Sequence, residues 1–293
     1  MFFFFDDNKA RSSSDVSPDR RDIITLSGFG IRNENLHNFA SDYANLKVEY
    51  GANEYSPIKW NLNDTELQQW YDKRRSEKGN QRRKLKKNKL LLMELCFNLL
   101  DKYECQVFSF GLQLSDLMNY KYEYVKYFRY NFENLLQRLG MHLKYSLRED
   151  AIMSSITLDW PSSEIKPKEI AEIYWWGYYH GKGVGHGYKS GPLKETNLLP
   201  CLMFSRTIEN PYMQIADLIS GVCHDYVNWV HLEDGKYENR LCHSWPMIRK
   251  RIHRDRVTHP SKKYDESECG FVYYGKNKKL LEKVYSNLEA FSD

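Results

Sequence analysis

The sequence predicts an α/β protein with a mixed sheet flanked by helices, and three observations lead to that class. Short apolar segments alternate with longer amphipathic ones, as strands alternate with the helices that cover a sheet. Only a polar stretch separates the first two apolar segments, residues 1–7 and 23–30, which predicts an antiparallel hairpin at the start of the chain. A basic, helix-forming stretch follows the first predicted helix, so the sheet is expected to carry a basic helical insertion.

The first part of the chain is predicted to form the hairpin and the helices that follow it. The uninterrupted apolar run Phe2–Phe5 is typical of a buried strand, and glycines at residues 28 and 30 mark the exit of the returning strand. Asn33 and Asp64 are residue types that begin helices as N-caps. Helices are therefore expected over residues 33–46, 64–72 and 90–100.

The second part of the chain is predicted to alternate strands and helices. Large apolar side chains recur at i, i+3 and i+4 over residues 119–139, which indicates an amphipathic helix, and Gly140 is expected to end it. Pro167 and the Asn210–Pro211 pair mark the starts of two more helices. Strands are expected over residues 104–110, 151–159 and 198–204, and helices over residues 167–179, 211–229 and 279–291.

Length and composition set the domain organisation. A chain of 293 residues can bury one large core. We predict a domain over residues 1–231, with the insertion at about 61–102, and a C-terminal extension over residues 232–293 that packs on it. No apolar stretch is long enough to cross a bilayer, and the N-terminal FFFF run is too short for a signal peptide. The six cysteines form no CxxC pair and fit reduced thiols. We therefore expect a cytoplasmic protein with no membrane partner.

Positive charge is concentrated in residues 73–89, which contain ten Lys or Arg and one Glu. The whole chain carries +4, so this segment, at +9, leaves 4 − 9 = −5 for the rest. The segment predicts contact with a polyanion, and its lack of aromatic residues favours nucleic-acid backbone over bases. A solvated loop leading into a helix is an equally good interpretation. We expect the segment to lie outside the acidic cluster described next. The residues expected to bind nucleic acid are Arg74, Arg75, Arg82, Arg83, Lys84, Lys86 and Lys87.

Acidic residues stand where predicted strands end. Asp6 and Asp7 close the first strand, and because side chains alternate across a strand, only one of them can face a given side. Asp159 follows an apolar run, and Pro161 two residues later places it at the C-terminal end of its strand. Ligands of open α/β sheets gather at such ends. The alternative is that these acids are solvated or begin turns.

Asp217 lies on the late helix, and its predicted orientation depends on which feature of that helix is weighed. A helical wheel places it opposite the apolar arc, which favours a solvent-facing carboxylate. However, its face of the helix is poor in Lys, Glu and Arg, and the small residues Ala216, Ser220 and Gly221 would allow close packing around the acid. Acids at two strand ends and on one late helix can converge to hold a divalent metal ion.

Five short segments together resemble a family of RNase H-like proteins that is described as a domain of unknown function and is often found near mobile elements and phage-defence genes. They are Asp6–Lys9, Ile58–Trp60, Leu158–Asp159, Phe204–Ser205 and Gln214–Asp217. In the family the first segment reads Asp-Glu-Ser-Gly and the last reads Gln-x-Ala-Asp. This chain departs from the family at Asp7, Asn8 and Lys9, and at Pro57, where the family often has an acid.

The resemblance implies an RNase H-like sheet and a metal-dependent nuclease that cleaves RNA or DNA with two Mg²⁺ or Mn²⁺ ions. It implies Asp6, Asp159 and Asp217 as metal ligands, with Asp7 or Glu54 assisting, and Lys59 could neutralise charge in the transition state. A protein partner in a phage-defence complex or a toxin system is also implied. The alternatives are a non-catalytic nucleic-acid-binding or partner-binding protein with the same fold, and a purely structural subunit.

Overall fold

The computed structural model describes residues 1–8, 23–72, 78–113, 124–145, 153–160, 165–182, 187–232, 235–253, 270–274 and 278–291. Within these residues the chain forms a six-stranded mixed sheet with helices on both faces, so the predicted α/β class is confirmed. The strands are β1 (Phe2–Asn8), β2 (Ile23–Ile31), β3 (Gln106–Gln113), β4 (Ser154–Asp159), β5 (Leu198–Ser205) and β6 (Phe271–Tyr274). The helices are α1 (Leu36–Glu49), α2 (Thr65–Asp72), α3 (Lys78–Lys87), α4 (Lys89–Lys102), α5 (Tyr124–Tyr145), α6 (Pro167–His180), α7 (Pro211–Leu232), α8 (Glu238–Arg251) and α9 (Lys278–Ser286).

The strand order is β5-β4-β1-β2-β3-β6. The pairs β1–β2 and β2–β3 are antiparallel, so the predicted hairpin is confirmed. The pairs β1–β4, β4–β5 and β3–β6 are parallel. The strands β1 and β4 therefore lie side by side at the centre of the sheet and end at the same edge.

Alternating side chains of β1 divide the core between the two faces of the sheet. Phe3 and Phe5 are fully buried against the face that α5 and α6 cover. Phe4 is buried on the opposite face, where Tyr212 of α7 stacks on it with ring centroids 4.7 Å apart. The continuous apolar run at the N-terminus thus exists because both sides of this strand are covered.

Several helix boundaries depart from the predictions: α9 ends at Ser286 instead of residue 291, and α1 and α5 also differ. Residues Asn33–Asn35 form a 3-10 turn and α1 begins at Leu36, so the predicted N-cap at Asn33 is wrong. The helix α5 continues through Gly140 to Tyr145. A Cβ atom at Gly140 would lie 2.6 Å from the Ser190 hydroxyl oxygen, so this glycine permits close packing rather than ending the helix.

Two predicted helix caps are confirmed. Asp64 Oδ1 accepts a hydrogen bond of 2.9 Å from the backbone N–H of Leu67, at the start of α2. Asn210 Oδ1 accepts one of 2.9 Å from the backbone N–H of Tyr212, at the start of α7. These caps satisfy N–H groups that have no partner within the helix.

The C-terminal part of the chain contributes a strand that the sequence analysis missed. β6 pairs with β3 and so widens the sheet by one strand. It has only four residues, and the residues before it, 254–269, lie outside the described part. Among the described residues, no helix is both long and apolar enough to span a membrane.

Candidate active site

The pairing of β1 with β4 places two predicted site residues next to each other. Phe5 is opposite Leu158 in the parallel register, so Asp6 and Asp159 follow at adjacent positions. Phe5 and Leu158 face α5 and α6, which means that Asp6 and Asp159 project to the other face, towards α7. Asp6 is only 4% exposed. Strand alternation directs Asp7 to the opposite face, although its charge still acts on Asp6 and Asp159.

The helix α7 supplies the third carboxylate. The side chain of Asp217 lies close enough to that of Asp6 for the two carboxyl groups to interact directly, and this contact opposes the rise in the pKa of Asp217. The charges of Asp159 and Asp217 both act on Asp6, together with that of Asp7. The three acids named as metal ligands from the sequence are therefore brought to one place, between the C-terminal ends of β1 and β4 and the first half of α7.

Residues 57–60 cover Asp217, and two of their backbone amides bind α7. The backbone N–H of Trp60 donates to Asp217 Oδ2, and the backbone N–H of Ile58 donates to Gln214 Oε1 at 3.3 Å. Gln214 Oε1 also accepts a hydrogen bond of 2.8 Å from the Tyr43 hydroxyl. Two segments of the resemblance, Ile58–Trp60 and Gln214–Asp217, thus form one hydrogen-bonded unit.

A glycine one turn further along α7 makes room for this covering segment. A Cβ atom at Gly221 would lie 2.1 Å from the Trp60 ring. The solvent-facing orientation that the helical wheel favoured for Asp217 is wrong, because the wheel cannot include a loop packed on that face. The alternative expectation, that small residues allow close packing around the acid, is confirmed at Gly221.

Asp159 is fixed by Thr207, which follows β5. Both the backbone N–H and the hydroxyl of Thr207 donate to Asp159 Oδ1, each at 3.0 Å. Burial, and then the charge of Asp7, raise the pKa of Asp159 to about 6, while the Thr207 hydrogen bonds and Lys59 act in the opposite direction. The carboxylate is thus oriented by donors but remains difficult to ionise.

The other two acids are also difficult to ionise. Burial raises the pKa of Asp6 well above its usual range, and the negative charges of Asp159, Asp217 and Asp7 raise it further. Burial likewise raises the pKa of Asp217, although the Trp60 N–H and Lys59 oppose that shift. Desolvation and repulsion between like charges are the physical causes of this pattern.

Lys59 supplies positive charge beside these acids. Its Nζ lies 3.4 Å from Asp64 Oδ1 and 3.8 Å from Glu66 Oε2. Burial would lower the pKa of Lys59, but four carboxylates, those of Asp217, Asp64, Asp6 and Asp159, outweigh it, so the pKa is raised. Lys59 therefore stays protonated at the edge of the site. The sequence predicts Asp64 only as a helix cap, and its pairing with Lys59 becomes visible in the tertiary structure.

The carboxylates suit a hard divalent cation by their chemistry. Oxygen ligands are those that Mg²⁺ and Mn²⁺ prefer, and a cation would relieve the repulsion among the buried Asp6 and the partly buried Asp159 and Asp217. In the described part of the chain, no three His, Cys, Asp or Glu side chains stand close enough together to enclose an ion. Binding of an ion would therefore require the three carboxylates to move closer to one another.

The two assisting acids differ in position. The backbone N–H of Asp7 donates to Asp6 Oδ1 at 2.8 Å, so Asp7 adjoins the cluster. Glu54 is exposed, accepts a hydrogen bond from the Tyr55 hydroxyl, and its charge acts on Lys47. The structure thus does not bring Glu54 to the three acids.

The basic segment, residues 73–89, includes helix α3, and its last residue, Lys89, lies beside the site. Lys89 Nζ donates to the Trp60 carbonyl and lies 4.5 Å from the centre of the Trp60 ring. Burial lowers its pKa to about 8. The expectation that the whole segment lies outside the acidic cluster is therefore wrong at Lys89, because α4 starts directly beside Trp60.

The remaining cations of this segment divide into described and undescribed residues. Arg83, Lys84, Lys86 and Lys87 are exposed on α3. Lys86 Nζ donates to Asn63 Oδ1 at 2.9 Å, which joins α3 to the loop that carries Lys59. Arg74, Arg75 and the side chain of Arg82 lie outside the described part.

Comparisons with protein-family models, with curated proteins and with solved structures find no match for this chain. The physical basis for a function is therefore the site itself. It combines three poorly solvated carboxylates, the protonated Lys59, and an exposed basic helix that Lys86 joins to the loop carrying Lys59.

Proposed function

We propose that this protein is a metal-dependent nuclease with an RNase H-like fold that hydrolyses phosphodiester bonds in RNA or DNA. The observation that carries the proposal is the convergence of Asp6, Asp159 and Asp217 at the ends of two adjacent parallel strands and on α7. The three-stranded antiparallel order β1-β2-β3, extended by parallel β4 and β5 beyond β1, supports the fold that the resemblance implies.

Asp6, Asp159 and Asp217 would hold the Mg²⁺ or Mn²⁺ ions. Bound in pairs, such ions lower the pKa of an attacking water and stabilise the leaving oxygen. Thr207 keeps the Asp159 carboxylate in one orientation, and the Trp60 N–H does the same for Asp217. Lys59 places a positive charge where negative charge develops on the phosphate during attack. Asp7, next to Asp6, would tune the charge of the cluster.

The exposed cations of α3 would bind the nucleic-acid backbone beside the site. They make no distinction among bases, so they would supply affinity rather than sequence specificity. On the resemblance, we further propose a cytoplasmic protein that acts with a protein partner in phage defence or a toxin system.

Cleavage of labelled RNA and DNA in the presence of Mg²⁺, Mn²⁺ or EDTA tests the proposal. We expect cleavage only with a divalent ion, and loss of cleavage in Asp6→Asn and Asp217→Asn. Asp101→Asn is the matched control, because Asp101 is an exposed acid paired with Lys250 at 2.9 Å and belongs to another surface. Binding of nucleic acid without cleavage under every condition would replace the nuclease proposal by the non-catalytic alternative.

A further inference from the structure

A cavity of about 550 Å³ lies beside α7 and is lined in part by Gln214. It is open to solvent and is lined by residues of α1, the loop that follows it, α2 and the start of α7. Its volume is in the range of sites that take small organic molecules or single nucleotides. The residues that matter for its chemistry are Tyr43, Lys47, Tyr55, Trp70, Gln214 and the rim acids Glu54 and Glu209.

Two buried side chains that line the cavity, those of Gln214 and Lys47, carry hydrogen-bond donors. Gln214 is 3% exposed, and its Oε1 already accepts from the Tyr43 hydroxyl and the Ile58 N–H. These donors fix the amide orientation, so the Nε2 group is left to donate into the cavity. Lys47 is 2% exposed and donates one hydrogen bond, to the Ser56 carbonyl at 3.2 Å. The ammonium group also lies 4.7 Å from the centre of the Tyr43 ring, so of its three donors one is left for a ligand.

Aromatic rings and carboxylates complete the lining. The Tyr55 ring is 71% exposed, and the half-buried Trp70 also lines the cavity. Glu54 and Glu209 stand at the rim and are exposed. With one lysine and two glutamates, the lining carries a net charge of −1, which disfavours a phosphate group. A neutral planar ring with acceptor atoms and amine groups fits the donors, the carboxylates and the rings together.

The cavity adjoins the acidic cluster through α7. Gln214 precedes Asp217 by three residues, which is slightly less than one turn of about 5.4 Å. Tyr43, which forms one wall, is close enough for the charge of Asp217 to affect it. A ring held in the cavity would therefore belong to a nucleotide next to any phosphate bound at the cluster.

We propose that this cavity binds a nucleobase of single-stranded nucleic acid, stacked on Tyr55 and Trp70 and hydrogen-bonded by Lys47 and Gln214. The inference rests on the proposed function, because it takes the occupant to be part of the nucleic acid that is cleaved. It adds that the substrate is recognised with at least one base unpaired and removed from its stack.

The test compares fluorescent single-stranded hexanucleotides with abasic oligomers of the same length and charge, by anisotropy in EDTA. EDTA removes cleavage from the measurement, so binding is tested independently of the nuclease proposal. For the wild-type protein we expect the oligomer with bases to bind roughly five- to 150-fold more tightly than the abasic one, which is the worth of one stacked base.

Three variants locate that difference. Tyr55→Ala should remove most of it, and Tyr55→Phe, which keeps the ring, should retain it. Tyr179→Ala is the matched control, because Tyr179 is an exposed ring (45%) on α6, remote from the cavity. Tyr55 is too exposed for its replacement to unfold the protein, and circular dichroism verifies this.

The outcomes separate the two proposals. Equal binding of both oligomers by the wild-type protein, or an unchanged difference in Tyr55→Ala, would overturn the base-binding cavity. If cleavage with Mg²⁺ is nevertheless present, the nuclease proposal stands without it. If Tyr55→Ala abolishes the difference in affinity between the two oligomers and the protein cleaves under no condition, the base-binding cavity is supported and the nuclease proposal is overturned.

Discussion

Replacing Asp159 by Asn should stabilise the metal-free protein at neutral pH. The substitution removes a carboxylate that burial and the charge of Asp7 make difficult to ionise. It retains the oxygen to which Thr207 donates twice, because Oδ1 of Asn accepts the same hydrogen bonds. The change therefore removes the charge of Asp159 but keeps its hydrogen bonds with Thr207.

The size of the effect follows from the pKa of Asp159. A rise from 3.8 to about 6 corresponds to up to about 3 kcal/mol of unfavourable free energy once the group is ionised. Between about pH 4 and pH 6 the folded protein retains a proton that the unfolded chain has lost, so the stability of the wild-type protein falls as the pH rises. The Asn side chain of the variant does not titrate in this range. The stability of Asp159→Asn relative to wild type should therefore increase little near pH 4 and fully above about pH 6.

Urea unfolding in EDTA across this pH range measures the effect. Asp101→Asn is the control of opposite sign, because hydrogen bonds from Lys250 and the charges of Lys250 and Arg251 lower the pKa of Asp101. Its ion pairs are exposed, so its loss should cost at most about 1 kcal/mol at neutral pH. Adding Mn²⁺ should stabilise the wild-type protein but not Asp159→Asn. An Asp159→Asn protein that is less stable than wild type at about pH 7 in EDTA would refute the view that like charges strain this cluster.

Three further outcomes are expected. Asp217→Asn should reduce cleavage by at least about two orders of magnitude, measured by single-turnover kinetics. The fold should stay intact, as circular dichroism would verify, because the amide oxygen of the new Asn can still accept from the Trp60 N–H. Gly221→Ala should destabilise the protein and lower cleavage, because the new Cβ would collide with the Trp60 ring. In an ordinary helix the same change stabilises by about 1 kcal/mol. Unchanged stability would show that the Trp60 ring is free to move. Replacing five cations of the basic segment by Gln should reduce the slope of log affinity for nucleic acid against log salt concentration by up to about 4, if each cation contacts a phosphate. The stabilisation by Mn²⁺ should not change. An unaltered slope would make the segment a solvated surface or a protein-docking site. Those cations are Arg82, Arg83, Lys84, Lys86 and Lys87.

The sequence by itself predicted five of the six described strands and the acids that end two of them. A continuous apolar run placed β1 correctly because a strand covered on both sides needs no polar alternation, and the segment Ile156–Leu158 marked the last part of β4. Asp6 and Asp159 could be assigned to the ends of those strands because the apolar pattern stops there. Local capping chemistry identified Asp64 and Asn210, since a cap contacts only the next few residues.

Tertiary structure alone decided which of these residues meet. The parallel register of β1 and β4 placed Asp6 beside Asp159, and strand pairing between residues 153 positions apart, such as Phe5 and Leu158, leaves no local trace in the sequence. A helical wheel could not orient Asp217, because the loop that covers it lies about 157 residues earlier in the chain and its Trp60 ring packs on Gly221. For the same reason Gly140 was taken for a helix end, although its missing side chain makes room for Ser190. Periodicity reports on the faces of one element, whereas burial of a polar group depends on whatever the rest of the fold brings to that face.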